Sequence, residues 1–140
     1  MRARLARLEE LIESLEDVRA EGLSTYLADK RLRGSTERWL QLAEQVCIDV
    51  GAHMVSDLST RTPSDYAGIF KSLADAGHLD RELASPLAQA ARQRNLLVHD
   101  YVVVDDQKVF ESLEHLDDLR AFASEVQRLL DAPETPHGAE

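Results

Sequence analysis

Apolar residues recur along the first part of this chain at gaps of three and four, the spacing that lines one face of an α-helix. Leu5, Leu8, Ile12, Leu15 and Val18 form such a stripe and predict an amphipathic first helix over Arg2–Glu21, with arginines and glutamates on its other sides. So narrow a stripe suits packing within the chain's own bundle, or against a partner helix in a coiled-coil-like pair. Gly22 and Ser24 allow a break, Leu27–Arg33 reads as a charged connection, and Gly34-Ser35 reads as a helix start. Thr36–Leu58 is then the second helix. Its apolar positions, among them Trp39, Leu40, Val46, Ile48 and Met54, cover more than half of its circumference, so more than one neighbour must bury it. This helix is the expected centre of a bundle and offers a seam for a dimer.

Thr62-Pro63-Ser64-Asp65 predicts the start of a third helix, about Pro63–Ala76: Thr62 caps, Pro63 suits the first turn, and Gly77 stops it. Asp80 caps a fourth helix over Asp80–Val98, whose start falls instead at Ser85 if Pro86 interrupts its second turn. The valines at 102–104 favour an extended connection. Asp105 or Asp106 can then cap a fifth helix, reaching about Leu130 on a stripe that includes Val109, Leu113, Leu116, Leu119, Phe122 and Val126. The breaker-rich PETPHGAE predicts a disordered end. The expected organisation is one all-α domain, an up-and-down helical bundle of about five helices over residues 1–131, followed by a disordered C-terminal tail at 132–140.

Composition narrows the function classes. With 140 residues and 44% hydrophobic content the chain can build one sizeable core, and only 5% aromatic residues favours helix over sheet. The single Cys47 excludes an intrachain disulfide, no Cys/His spacing suits zinc, and no apolar run is long enough to span a bilayer. The N-terminus is too charged for a signal peptide, so a cytoplasmic protein with no membrane partner is expected. A net charge of −10 opposes a phosphate-binding surface spread over the whole molecule, so any RNA contact must be local. From Asp105 to Glu140 there are ten acids against Lys108, Arg120 and Arg128, an acidic half that could take a basic partner protein or form a solvated helix face. Asp49 and His53 lie one helical turn apart, but two residues do not make a metal site. They read as a polar pair at a helix contact or surface, and neither metal nor cofactor is expected.

The chemistry concentrates in Arg94–Tyr101, RNLLVHDY. On a regular helix Arg94 and Tyr101 differ by only about 20° around the axis, while His99 stands about 140° from Arg94. The three gather at one rim only if the helix bends or ends near Val98, and the valine run beyond it supplies an ending. A guanidinium there can hold a phosphate and stabilise a pentacoordinate transition state. An imidazole titrating near neutrality can take the ribose 2′-hydroxyl proton or give one to the leaving oxygen. Asn95 adds amide donors and acceptors, and Arg92 adds charge that could follow the RNA backbone. Two copies facing each other in a homodimer would supply both an acid and a base.

RNLLVHDY carries the spacing Arg-x4-His-x-Tyr. Together with ERWLQLAEQVCIDVGAHMVSD and PSDYAGIFKSLADAGHLD, in that order, it resembles the HepT-type HEPN-domain ribonuclease toxins over nearly the whole chain. The resemblance implies an all-helical homodimer acting as a metal-independent RNase toxin of a type VII HEPN/MNT toxin–antitoxin system, either an endoribonuclease or an enzyme that trims RNA ends. It makes Arg94 and His99 the catalytic pair, Asn95 the polar residue following the arginine, and Tyr101 the residue AMPylated by an MntA-like nucleotidyltransferase antitoxin. A catalytically silent HEPN subunit that binds such a transferase, and helps present nucleotide or substrate, is the alternative that the acidic charge leaves open.

Overall fold

The computed structural model describes residues 1–57, 65–98 and 103–132, and these form helices and turns without a strand. In chain order the helices are α1 (Arg2–Glu21), α2 (Leu23–Ala28), α3 (Lys30–Asp57), α4 (Ala67–Asp75), α5 (Arg81–Val98), α6 (Asp106–Ser112) and α7 (Leu116–Asp131), with one 3₁₀ turn at Leu113–His115. The all-α expectation holds. The third predicted helix, about Pro63–Ala76, starts later than expected: Asp65 and Tyr66 form a bend and α4 begins at Ala67, where Asp65 Oδ1 accepts from Gly68 N at 2.7 Å. The expected cap at Thr62, the start of the extended connection at Val102 and the tail over PETPHGAE fall on residues 58–64, 99–102 and 133–140, which lie outside the described residues.

The first helix has the predicted bounds, and its stripe, extended by Leu11, is buried against α3 and α7. Other boundaries differ from expectation. The second major helix begins at Lys30, through the predicted Gly34-Ser35 start, because Asp29 already caps it: Asp29 Oδ1 accepts from the backbone N–H of Arg31 at 3.0 Å and of Leu32 at 3.1 Å. Thr36 donates its hydroxyl to Leu32 O at 2.7 Å, so the turn around Gly34 is tied from both sides. Leu27–Arg33 is accordingly not a connection. It holds the end of the short α2, whose Tyr26 packs on Phe110 of α6 with ring centroids 5.2 Å apart.

The predicted fifth helix is divided. Asp105 caps α6 as expected, its Oδ1 accepting from Lys108 N at 3.2 Å, but the 3₁₀ turn then separates α6 from α7. Leu113 and Leu116, three apart, are both fully enclosed, and a 3₁₀ turn aligns residues at that spacing. The fourth helix starts at Arg81, with Asp80 Oδ1 accepting from Glu82 N at 2.9 Å, and carries Pro86 inside it. A proline so near the N-terminus removes an N–H early in the helix, where the hydrogen-bonded ladder is only beginning.

The core lies where α3 crosses α1, α4, α5 and α7. Gly51 permits close approach of α4: a Cβ at that position would lie 2.8 Å from Ile69 Cγ2. Phe70 of α4 meets Phe122 of α7 edge-on, centroids 5.7 Å apart and rings at 88°. Most of the apolar surface of α3 is consumed inside the chain. Trp39, Leu42 and Val46 remain half-buried, one stripe at helical spacing that packs against the edge of the core.

Candidate active site

The site is built at the C-terminal end of α5. That helix is anchored at Leu87 and Ala91, which are buried, and its last turn rises out of the core, so that Leu96 is 55% exposed. Arg94 stands at the margin, half-buried, on the turn after Ala90. Its Nη1 donates to Asn95 Oδ1 at 3.2 Å, which brings two of the predicted site residues together. Its Nε is enclosed and has no hydrogen-bond partner among the described residues. Arg92 is exposed, but lies about 160° around the helix from Arg94, so the two cations face different sides of α5. Among the described residues neither makes an ion pair, and the Arg94 charge acts on the buried Glu44 carboxyl. His99 and Tyr101 lie outside the described residues.

One buried acid was not singled out from the sequence. Glu44 on α3 is only 2% exposed, and its Oε1 has no hydrogen-bond partner among the described residues. Burial pushes its carboxyl well above the usual glutamate range, and the positive charge of Arg94 pulls it part of the way back. The signal was present in the pattern: Leu40, Glu44 and Ile48 are spaced by four, so an acid occupies the middle of a buried run. Glu44 also lines a cavity of about 400 Å³ between α3, α5 and α7, together with Gln89, Gln93, His115 and Asp118. Cys47, one turn further along α3, is fully enclosed, and burial, with Glu44 adding to it, raises its thiol pKa. Such a thiol stays protonated and inert.

The Asp49–His53 pair has separate partners. Gln45 Nε2 donates to Asp49 Oδ1 at 2.8 Å, while His53 Nε2 lies 3.0 Å from Asp57 Oδ2, and Asp49, His53 and Asp57 are exposed. They form ordinary polar contacts one helical turn apart.

The family model for HepT-like ribonucleases matches residues 8–126, from the first helix to the last and through the whole of RNLLVHDY. This chain belongs to the HepT-like ribonuclease family. It is 31% identical over 110 residues to a protein of Aphanizomenon flos-aquae described as a tRNA nuclease HepT, covering 79% of this chain and 75% of that relative. It is 26% identical over 125 residues to the mRNA nuclease HepT of Shewanella oneidensis, covering 89% and 93% of the two chains. The fold superposes with a TM-score of 0.81 on a tri-AMPylated Shewanella oneidensis HEPN toxin solved in complex with its MNT antitoxin, at 25% identity over 89% of this chain and 94% of that one. The expected HEPN helical bundle is therefore the fold of this HepT-like chain, and Arg94 occupies its second-last major helix.

Proposed function

We propose that this protein is a metal-independent ribonuclease toxin of a type VII HEPN/MNT toxin–antitoxin pair, with Arg94 and His99 as its catalytic pair. Tyr101 is the residue that an MntA-like nucleotidyltransferase antitoxin AMPylates to silence it. The observation that carries this reading is the family match through residues 8–126, which includes every position of the Arg-x4-His-x-Tyr spacing. The position of Arg94, half-buried near the C-terminal end of α5, supports its role as the phosphate-binding charge.

In this mechanism Arg94 holds the scissile phosphate and stabilises the charge that develops on its oxygens. His99 takes the proton of the ribose 2′-hydroxyl, whose oxygen attacks phosphorus as the bond to the 5′-oxygen breaks. The histidine of a second copy gives that oxygen its proton, leaving a 2′,3′-cyclic phosphate and a 5′-hydroxyl. A homodimer thus completes the acid–base pair, and the half-buried stripe of Trp39, Leu42 and Val46 is a seam for it. Asn95 orients Arg94, and exposed Arg92 meets RNA beyond the cleavage point.

Silencing is a matter of charge. Transfer of AMP from ATP to the Tyr101 hydroxyl releases pyrophosphate and leaves a negative phosphodiester and a bulky nucleoside two residues from His99, where RNA must bind. The Shewanella complex, with its AMPylated toxin and MNT antitoxin, supports this half of the reading. The net charge of −10 favours the second reading, a silent subunit that only binds its transferase.

One experiment separates the two. The purified protein should cleave RNA in the presence of a chelator, and His99→Ala should abolish cleavage without altering its oligomeric state. Co-expression with the transferase should add AMP mass to the peptide containing Tyr101, and none to Tyr101→Phe. A wild-type protein without activity or toxicity would establish the silent subunit, and cleavage undiminished in His99→Ala would remove the assigned pair.

A further inference from the structure

The chain carries a net charge of −10, yet residues 30–38 hold Lys30, Arg31, Arg33 and Arg38, four of its sixteen lysines and arginines, against a single acid, Glu37. They occupy the first turns of α3. Arg31 and Arg38 stand about 20° apart around that helix, two turns from each other, and buried Leu40 lies about 180° from Arg31, so both arginines point away from the core. Lys30, Arg31, Gly34, Ser35 and Arg38 are all exposed, and nothing lies within 4 Å of a Cβ added at Gly34. This is an open basic side with only small residues between its arginines. Elsewhere the cations share the surface with carboxylates: Arg2 lies 2.9 Å from Asp131, Arg81 2.8 Å from Asp75 and Arg120 3.1 Å from Asp117.

We propose that this side of α3 is a docking surface for the phosphate backbone of RNA, with Lys30, Arg31 and Arg38 as its contacts. This rests on the ribonuclease reading, and it says where the substrate is held away from the reacting phosphate. Nucleic-acid affinity comes largely from lysine and arginine replacing counterions, and an acidic chain can supply that only locally. Gly34 lets a backbone come close between the two arginines, and Ser35 adds a hydroxyl. Such contacts set register and carry no base recognition, so the surface tolerates any sequence. Its place in the fold suits the task. The helix α3 packs on α5, which carries Arg94, and Arg33 Nε lies 3.4 Å from Asp106 Oδ2 at the start of α6, five residues after Tyr101 in the sequence. Leu42, on the stripe taken as the dimer seam, stands about 40° from Arg38, which puts the basic side at the rim of that seam. An acidic protein face would match the same charges, but the substrate of this family is itself a polyanion.

Binding tests the surface without catalysis. The probe is a labelled 2′-O-methyl oligouridine, whose blocked 2′-oxygen cannot attack phosphorus, and fluorescence anisotropy gives its Kd for the full chain over a range of salt. The α3 variant Lys30→Gln/Arg31→Gln/Arg38→Gln should raise Kd at least about 10-fold at low salt. It should also flatten the slope of log K against log salt by about 2, because a single strand contributes about 0.7 to that slope per phosphate contact. Glutamine has nearly the helix propensity of the residues it replaces, and circular dichroism checks the fold. Arg4→Gln/Arg7→Gln/Arg19→Gln makes the same change of charge at exposed positions of α1 and should leave the slope as it is. Equal losses in the two triple variants, or an unchanged slope in the α3 variant, would overturn the proposal. If the α3 variant does not fold, Arg38→Gln alone should flatten the slope by about 0.7, and no flattening overturns the proposal equally.

Cleavage distinguishes failure of the docking surface from failure of the ribonuclease. In steady-state assays on single-stranded RNA the α3 variant should lose activity through a raised KM. If the wild type cleaves RNA and KM is the same in the α3 variant, the docking surface fails and the ribonuclease stands. If the wild type cleaves nothing but binds the oligouridine through the α3 cations, the ribonuclease reading fails and the docking surface stands. Loss of co-purification with the nucleotidyltransferase in the α3 variant, at unchanged RNA affinity, would make this side a protein interface and overturn the proposal.

Discussion

Arg94 donates through Nη1 to the side-chain oxygen of its own neighbour, Asn95, at 3.2 Å. The contact places a neutral acceptor beside the guanidinium. Asn95→Asp would turn the acceptor into a competing anion. We expect cleavage by that variant to fall at least about 10-fold, roughly the effect of 1.4 kcal/mol on the barrier, with most of the loss in KM. Asn95→Ala should cost less, because it frees Nη1 without adding charge. Steady-state assays at low and moderate salt check this, since salt should narrow the gap between the two variants. Equal losses would show that the Asn95 oxygen acts by something other than charge.

Glu44 gives the fold a defined pH dependence. Burial raises its folded-state pKa above the ordinary value of 4.5, with Arg94 offsetting only part of the shift. Below that ordinary value both folded and unfolded chains hold the proton, and the stability is fully present. As pH rises the unfolded chain releases its proton first, so stability at this site is lost progressively until the pH has passed through the folded-state pKa. Glu44→Gln removes the slope. Chemical unfolding at pH 5 and pH 8 should therefore find the variant gaining on the wild type at the higher pH, and an equal difference at both values would contradict the buried carboxyl as its source.

Asp105 caps α6 directly after the chain leaves the segment that holds His99 and Tyr101. Its side chain accepts from Lys108 N, and helix caps of this kind contribute about 1 kcal/mol. Asp105→Ala should lower the midpoint of thermal unfolding by roughly 2–5 °C, while Asp105→Asn, which can still cap, should lower it less. Calorimetry of the three proteins decides the matter, and a midpoint unchanged in Asp105→Ala would mean that α6 is held by packing alone.

Local periodicity carried most of the architecture. Leu5, Leu8, Ile12, Leu15 and Val18 predicted α1 with bounds of roughly Arg2–Glu21, because a narrow stripe repeats from turn to turn. The signals that misled were also local, and a competing cap or the packing outweighed them. Gly34-Ser35 reads as a helix start, yet Asp29 caps the helix earlier and Leu40 and Tyr26 are buried on either side of it. The residues of α6 look continuous in sequence with those of α7, and only the packing of Leu113 and Leu116 inserts a 3₁₀ turn between them. Of the candidate residues, the sequence placed Arg94 and Asn95 near the end of a helix, and the structure puts them near the C-terminal end of α5. The burial of Glu44 depends on α3 meeting its neighbours, and an acid in a helix is ordinarily read as surface.

Gly51 and Gly34 lie in the same helix and should respond oppositely to substitution. Alanine is favoured over glycine in a helix interior by about 1 kcal/mol. At Gly34 nothing lies within 4 Å of an added Cβ, so Gly34→Ala should keep most of that gain and raise the unfolding midpoint by a few degrees. At Gly51 the new methyl would meet Ile69 Cγ2 at 2.8 Å and Phe70 Cε1 at 3.2 Å. Ile69 is β-branched and stiff, and Phe70 is fully buried edge-on to Phe122, so neither yields easily. Overpacking of this kind costs about 1–3 kcal/mol, enough to outweigh the propensity gain. Gly51→Ala should therefore lower the midpoint. Restoring the space with Ile69→Val would not help, because valine keeps the equivalent methyl, whereas Ile69→Ala removes it at the expense of a core cavity. Urea unfolding of Gly34→Ala and Gly51→Ala tests the pair, and a stabilised Gly51→Ala protein would mean that α4 can withdraw from α3 without loss.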